Sequence, residues 1–320
     1  MKFFSKTLLA GVFAAVSFAL CGAEVYSPAA EVAKLKDSKI KISEADIKAL
    51  GLRFEPIEVK IEGLKKDYDF IFISDLHVMA DDDSELAADR KAAMIYRRDK
   101  HFNNPQSGLR PLHVWEKLPA ILNKSNADAV FFCADMCDTG SIANVSALRD
   151  GMKKLTVPFL YTREDHDASP WNLISKDVSK QNAINAEIDG YPKVKTLEFE
   201  DLIIFSHSTT YRHFSKERVE ALRKECAKGK PVILVQHVPF VDQNNPAHKK
   251  LHAWNGRIKT NQPGTAALVK LLTAPNGPVK LIVSGHNHTN IDFMWTPTLR
   301  SRVFDAAFRG YVGIIKIRKK

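Results

Sequence analysis

The chain has 320 residues, 45% of them hydrophobic and 26% charged, with a formal net charge of +10. This is the composition of an ordinary globular protein, long enough for one large domain or two small ones. Its lysines and arginines are scattered apart from Lys153-Lys154 and Arg318-Lys319-Lys320. There is no basic helix with interleaved aromatics, so a nucleic-acid-binding surface is not indicated, and attraction to anionic substrates or an anionic envelope suffices.

The N-terminus has the pattern of a secretory signal peptide. Lys2 and Lys6 give a basic start, and Thr7 to Leu20 is an apolar run too short for a membrane span. Cleavage after Ala23 would place Cys21 and Ala23 at the small-residue positions, defining residues 1–23 as the signal and the protein as periplasmic or secreted. Lipidation at Cys21 is the weaker reading, because Leu20 before it is a poor fit. Residues 24–66 are polar and charged, with a helix around Ser43 to Leu50 capped by Ser43; they read as a leader packed on the main domain. No later stretch is long and apolar enough to span a bilayer.

Residues 67–320 form the main domain. Strands are predicted at Asp69–Ser74, Ala129–Cys133, Pro158–Tyr161, Leu202–Phe205, Pro231–Gln236 and Lys280–Val283. Helices fall near Val114–Lys124, Asn144–Lys154, Ser215–Lys228 and Thr265–Leu272. The alternation is that of an α/β fold. Asp292 to Ile317 has only short strand runs, which suggests antiparallel strands closing a second sheet. The acidic run Asp81, Asp82, Asp83 and Glu85 reads as the solvated first turn of a helix. The long segment Met79 to Leu112 is expected to serve as a lid or substrate wall that helps set substrate choice. Cys133, Cys137 and Cys226 read as thiols, since an odd count makes no disulfide framework.

Five of the apolar runs end in metal-ligand chemistry. Asp75 and His77 follow the first, Asp135 and Asp138 the second, Asp165, His166 and Asp167 the third, His237 the fourth, and His286 and His288 the fifth. In open α/β sheets ligands bind at the carboxyl ends of strands, so these residues converge if the sheets form. Mixed imidazole and carboxylate donors suit zinc, manganese or iron, whereas calcium and magnesium want oxygen. Two such ions can bind a phosphoryl oxygen and generate a hydroxide nucleophile. Each cluster alone is a weak signal, Asp75 and His77 being readable as a helix-capping strand-end turn and His237 as a core histidine, but five in one chain make a strong one. His207, Arg212 and Arg163 also follow strands and are candidates to reach the cleft.

In order and rough spacing these residues resemble the calcineurin-like metallophosphoesterase superfamily, whose pattern is D-x-H, G-D-x-x-D, G-N-H-D/E, a lone H and G-H-x-H. The resemblance implies a four-layer α/β/β/α sandwich binding two divalent metal ions (Mn, Zn or Fe). It assigns Asp75, His77 and His288 to one metal and His237 and His286 to the other, with Asp135 bridging and Asp165 in the place of the family's asparagine. It makes His166 the group assisting the leaving oxygen as hydroxide attacks phosphorus, with Asp138 and Asp167 orienting ligands. The implied activity is hydrolysis of phosphate mono- or diesters, with a phosphate-ester small molecule, lipid or nucleotide as substrate. Three positions depart from the pattern. Ala134 stands where the family has glycine, a strained choice if φ is positive. Glu164 and Asp165 stand for Gly-Asn, and Glu164 either points away or shapes substrate choice. That altered pair motivates the alternative of a non-catalytic metal-binding protein on the same fold. A serine hydrolase is disfavoured because no G-x-S-x-G elbow occurs.

Overall fold

The computed structural model describes residues 26–168, 172–177, 179–189, 194–208, 214–240 and 263–320. The signal-peptide reading of residues 1–23, with Cys21, lies outside the described residues, as do Arg212, His213, His248 and His252.

In chain order the first elements are α1 (Pro28–Lys34), α2 (Glu44–Leu50), β1 (Arg53–Ile61), β2 (Tyr68–Ile73) and α3 (Ala88–Tyr96). A π-helical turn (Arg97–His101) extends α3 and is followed by α4 (Pro111–Lys124), β3 (Ala129–Cys133), α5 (Ile142–Met152) and β4 (Phe159–Thr162). Then come α6 (Asp165–Ala168), α7 (Ser179–Asp189), β5 (Val194–Glu198), β6 (Ile203–His207), α8 (Lys216–Cys226) and β7 (Val232–Val235). The chain ends with α9 (Pro263–Leu272), β8 (Val279–Ser284), β9 (Ile291–Thr296), β10 (Leu299–Val303) and β11 (Tyr311–Lys319).

The strands make two sheets, one in the order β1-β11-β2-β3-β4 and the other β5-β6-β7-β8-β10-β9. Because side chains alternate across a strand, each strand feeds two cores. In β2, Tyr68, Phe70 and Phe72 pack with Ile233, Val235, Leu281 and Val283 of the other sheet. Ile71 and Ile73 point the opposite way, against Val114, Trp115 and Leu118 of α4 and Val145 and Leu148 of α5. On the far side of the second sheet, Val232, Leu234 and Ile282 meet Val219 and Leu222 of α8 and Leu268 and Leu272 of α9. The layers are therefore helices, sheet, sheet, helices, as expected. A strand buried on both faces reads as a continuous apolar run, which is why the parallel central strands were legible.

The predicted strands are found to within a residue or two at their ends, and Ser43 caps α2 by accepting from the Asp46 N–H at 3.1 Å. Two expectations need correction. The acidic run does not form a first helical turn, since α3 begins at Ala88. Instead Asp83 pairs with Arg98 at 2.8 Å, Asp81 with Arg110 at 2.6 Å, and Glu85 accepts the Ile142 N–H at 2.6 Å. The C-terminal strands also divide. β9 and β10 form the antiparallel edge of the second sheet, but β11 enters the first sheet, parallel to β1 and antiparallel to β2. β11 carries Val312 and Ile314 on one face and Ile315 and Ile317 on the other, all buried, and only an interior position covers both. Cys133, Cys137 and Cys226 are free thiols.

Candidate metal centre

The loops leaving β2 and β3 are tied together beyond the sheet. The Asp75 N–H donates to the Ala134 carbonyl at 3.1 Å, His77 to Asp135 at 2.9 Å, and Val78 to Met136 at 2.7 Å. These bonds hold the two loops side by side where the sheet ends, so their polar side chains converge. The backbone is strained to do so. Of the nine non-glycine residues with positive φ among the described residues, six are here: Asp75, His77, Ala134, Asp135, His286 and His288. Ala134 has φ +60°. Each such residue costs roughly 1–2 kcal/mol, and such strain concentrates at functional sites. Gly285 serves a different need: a Cβ there would overlap Ser74 Oγ and Asp75 Oδ2.

Among the described residues three groups of three donors have their ligand atoms within 4.8 Å of one another: Asp75 with His77 and His288, Asp135 with His237 and His286, and His77 with Asp138 and His166, the last sharing His77 with the first. The groups adjoin. His237 Nε2 is 3.1 Å from Asp135 Oδ2, 3.8 Å from Asp75 Oδ1 and 3.3 Å from His286 Nδ1. His288 Nε2 is 3.1 Å from Asp75 Oδ1. Each group is oriented from behind. Asp75 Oδ2 accepts from Ser74 Oγ at 2.6 Å and from the His286 N–H at 2.9 Å. His237 Nδ1 donates to the Cys133 carbonyl at 2.9 Å, leaving Nε2 for the centre. His77 Nδ1 lies 3.0 Å from Asp138 Oδ1, and its buried Nε2 has no hydrogen-bond partner among the described residues.

Burial drives the charges into complementary states. It pushes Asp75 and Asp135 upward, but the neighbouring histidines outweigh it and hold both below the usual carboxylate range. Burial lowers His237, and the Asp135 and Asp75 carboxylates overcome it and raise it well above an ordinary histidine. Burial keeps His77 low. Ionised carboxylates beside imidazoles whose protons a cation would displace are a donor set that fits a divalent metal, and the orphaned His77 Nε2 fits it too.

Asp138 sits behind this centre rather than capping a helix; Ser141 caps α5. It joins His77, and His166 Nδ1 donates to its backbone carbonyl at 2.8 Å. His166 is lowered by burial but raised further by Asp135 and Asp138, so it is held protonated more readily than a free histidine. Asp167 accepts from the Cys137 N–H at 2.8 Å, and burial with the Asp135 charge pushes its carboxyl up to about 7. Glu164 is buried, its N–H donating to Asp167 Oδ2 at 3.3 Å. Asp165 lies at the start of α6, with its side chain outside the described residues.

Two candidates go elsewhere. His207 packs on the outer face of the second sheet against Phe214, ring centroids 4.2 Å apart, instead of lining the cleft. Burial pushes it down to about 3. Arg163 donates to Asn182 Oδ1 at 3.1 Å. Sequence reasoning missed Ser74, Arg97 and Phe102. Ser74 stands next to Asp75 and was open to notice. Arg97 and Phe102 come from the long Met79–Leu112 segment, where no motif marks them.

Two sheets face to face, with aspartate and histidine donors gathered at their strand ends, define a metallohydrolase-like sandwich. A family model described as calcineurin-like phosphoesterase matches residues 68–290, and the chain belongs to that family. Its fold is similar to that of a dimetal phosphatase from Danio rerio, with 12% identity over 76% of this chain and 88% of that one and a TM-score of 0.42. It is also similar to a purple acid phosphatase from yellow lupin, with 10% identity over 80% of this chain and 44% of that one and a TM-score of 0.44. A 5'-nucleotidase from Candida albicans gives 10% identity over 78% of this chain and 47% of that one, with a TM-score of 0.41. The chain spans less than half of the last two. No curated protein sequence matches it. No helix among the described residues is long and apolar enough to cross a membrane. Family membership and the donor groups support a metal-dependent phosphoester hydrolase.

Proposed function

We propose that the protein is an exported hydrolase of phosphate mono- or diesters working with two divalent metal ions, manganese, zinc or iron. One ion would be held by Asp75, His77 and His288 and the other by His237 and His286. Asp135 would bridge them, and Asp165 would add a ligand to the second. The observation that carries this reading is the junction of the two donor groups, where His237 Nε2 stands 3.1 Å from Asp135 and 3.8 Å from Asp75. When bound, the metals supply Lewis-acid activation of water and of a phosphoryl oxygen.

The chain's own residues do the rest. Ser74 and the His286 N–H fix the Asp75 carboxylate, and the Cys133 carbonyl fixes the tautomer of His237. His166, oriented by Nδ1 on the Asp138 carbonyl, would give the Nε2 proton to the leaving oxygen. The raised affinity of His166 for its proton suits a general acid near neutral pH. The substrate class extends to nucleotides and to envelope phospholipids.

The test pairs metal analysis of the purified protein with turnover of bis(p-nitrophenyl) phosphate and p-nitrophenyl phosphate, with Mn²⁺ or Zn²⁺ added. About two metals per chain are expected, with turnover lost in Asp135→Asn and reduced in His166→Ala. Metal without turnover on either ester would favour the non-catalytic reading, which the Glu164-Asp165 pair motivates. Absence of metal would overturn the site. N-terminal sequencing of exported protein, expected to begin at Glu24, tests the export.

A further inference from the structure

The described residues offer few sites away from the centre. A groove lined by Val32, Leu35, Ile40, Ile42 and Ile121 with Lys36, Lys41 and Lys124 at its rim has nothing to say what covers it. The Met79–Leu112 segment carries more. Its Arg97 grips Asp138 with two bonds, Nε to Oδ2 at 2.8 Å and Nη2 to Oδ1 at 2.5 Å. Asp138 Oδ1 is the same atom that meets His77 Nδ1. The guanidinium of Arg97 lies over the ring of Phe102 at 4.7 Å. Phe102 in turn stacks on His77, with centroids 4.4 Å apart and planes 4° from parallel. The Phe102 N–H donates to the Arg97 carbonyl at 3.0 Å, which closes the loop between the two.

His77 is thus constrained on two axes. Asp138 fixes which nitrogen faces inward, and Phe102 fixes the plane of the ring. Asp138 follows β3, but the segment bears on both constraints through one short stretch, Arg97 gripping Asp138 and Phe102 stacking on the ring. A lone carboxylate can rotate about its Cβ–Cγ bond; a bidentate guanidinium locks it, because the planar fork matches both oxygens. Partners that orient ligating histidines bear on metal affinity nearly as directly as the ligands do.

We infer that Arg97, with Phe102, is a positioning residue for the metal centre, so that the Met79–Leu112 segment is a working part of the site and not only a wall beside it. The inference rests on the metal-site reading above. It requires that Arg97 act through Asp138 and His77, with no contact to substrate.

The experiment titrates Zn²⁺ against a competing chelator in wild-type protein and in Arg97→Gln, Arg97→Lys, Phe102→Leu and Arg110→Gln, alongside kcat and KM on bis(p-nitrophenyl) phosphate. Arg97→Gln should weaken one of the two Zn²⁺ affinities, that of the group holding His77, by about tenfold, the lower end of the range for removing an orienting partner. Arg97→Lys should restore part of the loss, and Phe102→Leu should show a smaller loss of the same affinity. Arg110 pairs with Asp81 at 2.6 Å, tying the segment together away from the centre, so Arg110→Gln should leave affinity unchanged. In Arg97→Gln kcat should fall with KM nearly constant. Unchanged Zn²⁺ affinity in Arg97→Gln and Phe102→Leu would overturn the inference. So would a loss in Arg110→Gln equal to that in Arg97→Gln, or a rise confined to KM. Should Arg97→Gln fail to fold, Arg97→Lys and Phe102→Leu decide alone. Wild-type protein that takes up no Zn²⁺ would instead overturn the proposed function.

Discussion

Gly285 is the position at which a single methyl group tests the architecture of the centre. A Cβ built there lies 2.7 Å from Ser74 Cβ and closer still to Ser74 Oγ and Asp75 Oδ2, inside the 3.0 Å that real Cβ contacts respect. Ser74 and Asp75 are both buried, so neither can swing into solvent. The Asp75 carboxylate must move by roughly 1 Å, which breaks its bonds from Ser74 Oγ (2.6 Å) and the His286 N–H (2.9 Å). Overpacking of this kind costs about 1–3 kcal/mol of stability. A ~1 Å misplacement of a group at the centre should cost on the order of a hundredfold in turnover, and metal affinity should fall with it. Gly63→Ala is the control. Gly63 has φ +84° but nothing within 4 Å of a Cβ, so it loses stability through backbone strain alone and keeps its metal. The assay is urea unfolding together with metal titration of both variants. Gly285→Ala with wild-type metal affinity and turnover would refute the reasoning, because the Asp75 carboxylate would then not be held where the backbone of Gly285 leaves room for it.

Two further predictions come from backbone strain and from a buried base. Ala134→Gly should be nearly neutral in urea unfolding. Relief of about 1–2 kcal/mol of left-handed strain offsets a lost buried methyl of roughly 0.8 kcal/mol and the extra chain entropy of glycine of roughly 0.5–1 kcal/mol. Ala129→Gly, in the interior of β3, has no such relief and should lose about 1–2 kcal/mol; equal losses would refute the strain at Ala134. Burial lets His207 hold its proton only near pH 3 in the folded state against an ordinary histidine's 6.5, so the unfolded chain binds more protons between those values. Its contribution to stability is therefore lost as pH falls from about 6.5 towards 3, at up to about 1.4 kcal/mol per unit. His207→Phe should thus be less destabilised than wild type on going from pH 7 to pH 5, by about 2 kcal/mol. An unchanged pH slope would show that His207 is not buried as a neutral ring.

What the sequence by itself determined is the set of central strands and the chemistry at their ends. Strands covered on both faces must be apolar at every position, so Asp69–Ser74, Ala129–Cys133 and Pro231–Gln236 stood out. A polar residue directly after such a run is then exceptional enough to notice, which is how Asp75, His77, Asp135, His237, His286 and His288 were found. The structure gathers these six into two adjoining groups. Only tertiary structure decided the rest. β1 does alternate, Ile57 and Ile61 inward against exposed Pro56, Glu58 and Lys60, but that pattern is equally that of a leader strand packed anywhere; its place beside β11, some 260 residues away, is set only by the fold. The left-handed backbone at Asp75, His77, Ala134 and Asp135 has no local residue signature, since none is glycine. It is imposed by the bonds that tie the β2 and β3 loops together. Arg97 meets Asp138 across 41 residues, and a bidentate pair at that separation exists only once the segment has folded over the strand ends. Local pattern records burial and periodicity; it does not record which distant groups a packed chain will bring into contact.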